Sequence, residues 1–304
     1  MKKSILLIFT IINISLNLYG QKDSDYRVDE TQKYVEGQNY VFEFRDGTIT
    51  IATFLREADG NIYIKNLNEE ELYIPKIMIA QIHIVSKDNV KGDEYWFPNL
   101  HETRYFFSPT GFGLDPGEGY YNHSFWLLWQ AQWGVTKNFS VGGGTSIFGL
   151  PSTVNAKLNG KISDAVNGAF GWFWVGDLFG ISGDLFYTFV NMPYAIITFG
   201  NKENNVTFGA GINLSDEWSD DNPVVLNLGA TFRSSRRFAF IAEGWVFQPG
   251  SNASFLGGPG IRYFRKLNRV TARNGAGTST WDFQLLINPD FEGIVPTFGA
   301  SRKF

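Results

Sequence analysis

The chain contains no cysteine, which excludes disulfides, thiolate metal sites, a cysteine nucleophile and a lipid-modified N-terminal cysteine. Beyond residues 5–12 it has no long apolar run, and the mean hydropathy is only -0.14. A bundle of transmembrane helices is therefore excluded, since each helix needs about 20 mostly apolar residues in a row. There is no excess of positive charge either. The formal net charge is -4, so the chain is not expected to bind nucleic acid.

What is present is aromatic and small. Of 304 residues, 28 are Phe, 13 Tyr, 9 Trp and 33 Gly. This composition excludes disorder and suits strands joined by tight turns. A β-barrel hides its membrane segments in alternation, so a modest average hydropathy is what it would show. Residues 1–20 pair a basic start, Lys2 and Lys3, with the run ILLIFTII and end in Tyr19-Gly20. They read as a secretory signal peptide. The polar stretch 21–37 reads as a flexible lead-in.

From Asn39 to Val85 the pattern changes to about five short strands. Asp46-Gly47 and Asp59-Gly60 stand between alternating runs as hairpin signals. The arrangement "DGT...G...I..IP...I..I" resembles the small SH3-like or Sm-like barrels and places such a domain at 38–86. Modules of that kind often bind peptides, which implies a possible periplasmic partner for this one; a plug, cap or spacer is the alternative. Residues 87–103 read as a charged linker that becomes aromatic near Tyr95, Trp96 and Phe97.

Period-two alternation dominates the remainder. In Val224 to Arg233 the residues Val224, Leu226, Leu228, Ala230 and Phe232 share one face. After the turn SSRR, Phe238 and Phe240 share a face opposite Glu243. Twelve such segments are expected, at Arg104 to Gly113, Tyr120 to Gly134, Phe139 to Gly149, Val154 to Ile162, Val166 to Gly176, Leu185 to Gly200, Val206 to Leu214, Val224 to Arg233, Phe238 to Phe247, Phe255 to Arg265, Trp281 to Leu286 and Ile294 to Phe304. Pro193 should mark a bulge or an edge defect. The expected fold is all-β: a transmembrane antiparallel up-and-down barrel over 104–304 behind a small N-terminal β domain. With a periplasmic N-terminus, the short turns VTKN, SDA, NKENN and SSRR fall in the periplasm and longer connections such as SDEWSDDNP outside. LNRVTARNGAGTST violates that rule.

The strings EYWFPNLHETRYFFSPTGFGLDPGEGYY, WGVTKNFSVGGG and TFGNKENNVTFGAG resemble a family of outer-membrane barrel proteins from Bacteroidota. The likeness spans most of Asp93 to Phe304. It implies an outer-membrane location and a barrel architecture, brings no assigned activity or catalytic residues, and leaves function open. The alternating last strand, ending on Phe304, looks like the signal recognised by the barrel assembly machinery.

Charged residues on the inward faces are Lys157, Lys161, Glu243, Arg262 and Asp282. They would line a narrow selective pore or form a salt-bridged interior that plugs it. Trp126, Phe148, Trp245 and Phe264 share the inward phase and favour an occluded lumen. Trp129, Trp133, Trp172, Trp174 and Trp281 fit girdles at a lipid interface. His123-Ser124 cannot form a nucleophile-base pair directly, because adjacent strand residues face opposite ways. Asp216, Glu217, Asp220 and Asp221 offer oxygen ligands without the spacing of a calcium loop. No cofactor is implied. The expectation is a non-enzymatic outer-membrane barrel in contact with lipid, either a narrow small-solute channel or a structural and interaction barrel. A lipid-modifying barrel enzyme and a soluble periplasmic β-protein are the alternatives.

Overall fold

The computed structural model describes residues 34–46, 48–66, 68–85, 90–91, 94–124, 127–215, 223–248, 253–265, 278–289 and 293–304. The expected signal peptide, Gly47, Trp126, the acidic residues at 216–221 and most of LNRVTARNGAGTST lie outside them. The chain separates into two compact units, with the boundary at residues 87/88.

The first unit is a five-stranded antiparallel sheet. Its strands are β1 (Asn39–Phe44), β2 (Ile49–Ala58), β3 (Asn61–Lys65), β4 (Glu71–Pro75) and β5 (Ile79–Ile84), in the order β4-β3-β2-β1-β5. Asp59 and Gly60 turn β2 into β3 with φ of 50° and 73°, the left-handed pair that a tight two-residue hairpin requires and that Asp-Gly tolerates. At the preceding turn Asp46 accepts hydrogen bonds from the Thr48 hydroxyl (2.7 Å) and amide (2.9 Å). These two bonds, the hydroxyl first, hold its carboxyl below the usual carboxylate range. The core gathers Tyr40, Phe42, Phe54, Ile62, Ile64, Ile74 and Ile79. Ile62 is wholly buried there, so Ile62→Ala should cost this unit about 2–4 kcal/mol. Faster hydrogen exchange in β1–β3, with the second unit unchanged, is the expected readout.

The second unit opens with the short hairpin β6 (Val90–Lys91) and β7 (Glu94–Tyr95). Twelve antiparallel strands then close into a barrel: β8 (Gly119–Ser124), β9 (Leu128–Thr136), β10 (Phe139–Ser146), β11 (Ser152–Ser163), β12 (Val166–Asp177), β13 (Tyr187–Gly200), β14 (Asn204–Ile212), β15 (Val224–Arg233), β16 (Phe238–Phe247), β17 (Ser254–Phe264), β18 (Ser279–Asn288) and β19 (Gly293–Lys303). The seam is β19 against β8, from Gly299↔Ser124 to Lys303↔Tyr120. At one end of the barrel, here the near end, most connections are very short: 137–138, 164–165, 201–203 and 234–237. The far end carries 147–151, 178–186 and 213–223.

Burial in the wall is inverted relative to a water-soluble sheet. Along β14 Phe208 is 52% exposed while its neighbour Thr207 is fully buried; along β16 Phe240 is 53% exposed while Glu243 is buried. Large apolar side chains point outward, and polar or small ones point into the lumen. Aromatic pairs run along the outer surface near the near end, with Phe238 on Tyr263 (5.2 Å between ring centres), Tyr263 on Trp281 (6.1 Å) and Trp133 on Phe304 (5.6 Å). Trp129 and Trp172 are also exposed on the outer face, whereas Trp174 is buried and donates to Thr188 Oγ1 at 3.0 Å.

Three sequence expectations change. Arg104 to Gly113 is not a barrel strand, and the barrel begins at Gly119 rather than at residue 104. Tyr120 to Gly134 is not one strand but two, β8 and β9, turned where Leu127 N–H donates to Ser124 O at 3.0 Å. Phe148 does not point inward; it lies in the 147–151 connection, 73% exposed. The Pro193 defect takes a specific form. Proline has no N–H to give β14, and the β13–β14 ladder stops at Tyr194↔Gly211. Beyond it the Asn213 side chain substitutes for a strand, accepting from Asn191 N–H at 2.8 Å.

Candidate functional site

Residues 96–118 enter the barrel at its near end, fold back on themselves in the lumen and leave by the same end to start β8. The turn-back is a tight hairpin. Thr110 N–H donates to Thr103 O (3.0 Å), Arg104 and Pro109 form an isolated bridge, and Tyr105 N–H donates to Ser108 O (2.9 Å). An extended segment cannot join the wall's ladders from inside the lumen, so its remaining peptide groups must find side chains. The wall supplies them.

Glu243 takes the tip. Its carboxylate accepts from the amides of Phe106 (2.7 Å), Phe107 (3.1 Å) and Ser108 (2.5 Å), and from the Ser108 hydroxyl. Three successive N–H groups converging on one anion form a nest of the kind that binds free anions elsewhere. Here the anion belongs to β16. Asn227 on β15 adds a donor to Ser108 Oγ at 2.8 Å.

Arg262 and Asp282 stand opposite one another on β17 and β18 and pair in the two-pronged geometry favoured by guanidinium and carboxylate, at 2.9 and 3.1 Å. Arg262 also donates to the carbonyls of His101 (3.2 Å), Arg104 (3.3 Å) and Tyr105 (2.5 Å). Asp282 receives a second cation, Arg104 of the hairpin, at 3.2 Å. On the opposite wall Lys157 of β11 donates to Thr110 O (3.1 Å) and Phe112 O (2.7 Å). Tyr105 reaches across to Asn205 Oδ1 and Thr207 Oγ1, each at 2.7 Å. Its ring lies over Gly229, where a β-carbon would collide with it.

The near-end mouth is closed by a second set. Arg233 donates to Phe97 O (3.1 Å) and Glu203 (2.9 Å) and packs between the Phe97 and Phe264 rings. Asn99 bonds Glu203 and the Lys202 carbonyl, and Lys202 pairs with Glu102 at 2.8 Å.

Four of the five inward charges expected from the sequence, Lys157, Glu243, Arg262 and Asp282, thus hold one short piece of chain. The fifth, Lys161, lies near the near-end terminus of β11, exposed and paired with Asp164 at 2.7 Å. Phe264 faces inward onto Phe97 (5.8 Å), and Trp245 borders the lumen beside Phe107 (6.1 Å). Arg104 and Tyr105 are lumen residues that the sequence does not reveal, because their segment reads as wall. Arg233 shares the inward phase of β15 but falls outside the expected set of lumen charges. His101 and Ser301 come together at 3.4 Å, but both are buried, so this pair offers no surface to a substrate. His123 packs on the Trp129 ring at 4.9 Å. No cluster of three or more metal-ligating side chains occurs among the described residues. A scan against known protein families and a search among curated proteins both find no match to this chain.

Proposed function

We propose that this chain is a non-enzymatic integral outer-membrane barrel, sealed from the periplasmic side by its own residues 96–118, and that it works as a binding and interaction barrel rather than as a standing pore. The observation that carries this reading is the hairpin at 103–110. It crosses the lumen and engages the inward charges that a conducting channel would present to solute.

Lipid would cover the apolar outer face, and the near end with its short turns would face the periplasm. The aromatic pairs along the outer surface support such a placement, since amphipathic rings favour the headgroup level. The barrel assembly machinery would act on β19, which ends at Phe304 and closes the seam. The strand order β4-β3-β2-β1-β5 supports an SH3-like or Sm-like module in the first unit, and a periplasmic partner for that module is part of the proposal.

Wild-type protein in a planar bilayer should show no stepwise conductance at any salt concentration, and steady conductance from the unmodified chain would sink the sealed reading. Carbonate extraction should leave the protein with the membranes. Its release intact would instead make it a soluble periplasmic β-protein.

A further inference from the structure

On the far side of the hairpin tip the lumen holds a cavity of about 410 Å³, within the range of pockets that enclose small-molecule ligands. Its upper wall is apolar, with Val190, Met192, Val225, Phe247, Leu256 and Leu286 all bordering it. Inward positions of a water-filled barrel are ordinarily polar, so this surface is poorly suited to water alone. The polar groups gather lower down, beside the hairpin. Arg104 and Lys157 border the cavity, and no Asp or Glu does so among the described residues.

The lower groups are tied to the hairpin but not exhausted by it. Arg104 gives Nη1 to the Tyr105 and Phe106 carbonyls and Nη2 to Asp282. Lys157 gives Nζ donors to Thr110 O and Phe112 O, and an ammonium carries a third.

We infer that the cavity binds a small amphipathic monoanion, a carboxylate on an aliphatic body, with its head at the cationic floor of Arg104 and Lys157 and its tail among the apolar wall. The charge favours an anion over a neutral or cationic head, because the two charged groups that border the cavity are both cations and Asp282, the carboxylate paired with Arg104, does not border it. The wall favours an aliphatic chain over a sugar or a nucleotide. The inference goes beyond the sealed-barrel reading and does not depend on it, since a soluble barrel with the same interior would take the same ligand.

The test is isothermal titration calorimetry of the full chain in lipid nanodiscs, with protein-free nanodiscs to subtract partition into lipid. Decanoate should bind saturably, one molecule per chain. Decanol should bind about tenfold more weakly, the loss of one hydrogen bond to a charged group, and decyltrimethylammonium should give no saturable heat. Leu256→Trp fills the cavity while keeping its wall apolar and should abolish decanoate binding. Should that variant not fold, as judged by loss of its heat-modifiable gel mobility, Val225→Phe fills the same space from another strand with the same expectation. Heats no larger than the blank would overturn the site. Equal binding of decanoate and decanol would overturn the anionic head, and undiminished binding by a folded, filled variant would place the ligand elsewhere.

Discussion

Replacing Glu243 with leucine is expected to give stepwise openings in a planar bilayer, where the wild type is expected to be silent. The carboxylate is the sole acceptor shown for the amides of Phe106, Phe107 and Ser108, and leucine leaves all three facing an apolar side chain. A buried N–H without a partner costs about 1–3 kcal/mol, and those of Phe106 and Ser108 are buried, so the hairpin tip loses at least ~2 kcal/mol of its hold. Each 1.4 kcal/mol is a factor of about ten, which makes the displaced state more populated than in the wild type by at least roughly thirtyfold. Glu243→Gln keeps one acceptor oxygen and should fall between the two. The measurements are bilayer recording and the thermal midpoint of heat-modifiable gel mobility. A silent Glu243→Leu protein with an unchanged midpoint would show that this carboxylate does not hold the seal.

Asp282→Asn should be the most destabilising single change in the wall. The side chain stands between two buried guanidinium groups, Arg104 and Arg262, and an amide neutralises neither. Removing one partner of a buried ion pair costs about 3–5 kcal/mol because the other charge is left uncompensated. Here two charges are left, although Arg262 keeps three carbonyl acceptors. The expected result is a much lower urea midpoint and a poor yield of folded barrel. Adding Arg104→Gln removes one stranded cation, so the double variant should recover part of the loss. Residues sharing a network couple by about 0.5–3 kcal/mol, and strictly additive costs would mean that the triad is not a unit.

The wall was legible from period two alone, because alternation assigns a face without any knowledge of what lies on it. That is why Lys157, Glu243, Arg262 and Asp282 were read as inward from sequence. Their partners were not legible, since the peptide groups of residues 101–112 leave no trace in side-chain chemistry. The hairpin passes for a strand because RYFFSPTGFG is aromatic and small with a single charge, yet its Pro109 and its turn at 105–108 serve a chain folded inside. The turn between β8 and β9 falls where the sequence has no Gly, Pro or Asn-Gly signal. One segment too many at Arg104 and one too few at Tyr120 cancelled, so the expected twelve strands matched the observed twelve by compensation. Lys161 and Phe148 show the other limit: phase predicts direction only within a strand, and these residues lie near or beyond its end.

The wall holds the hairpin mostly by peptide groups, through the amides at 106–108 and the carbonyls at 101, 104, 105, 110 and 112. Such a grip is strict about the hairpin's length and its donors, and it adds to the side-chain ties of Arg104, Tyr105 and Ser108. The change barred at positions 106, 107 and 108 is proline, which removes the very N–H that Glu243 accepts.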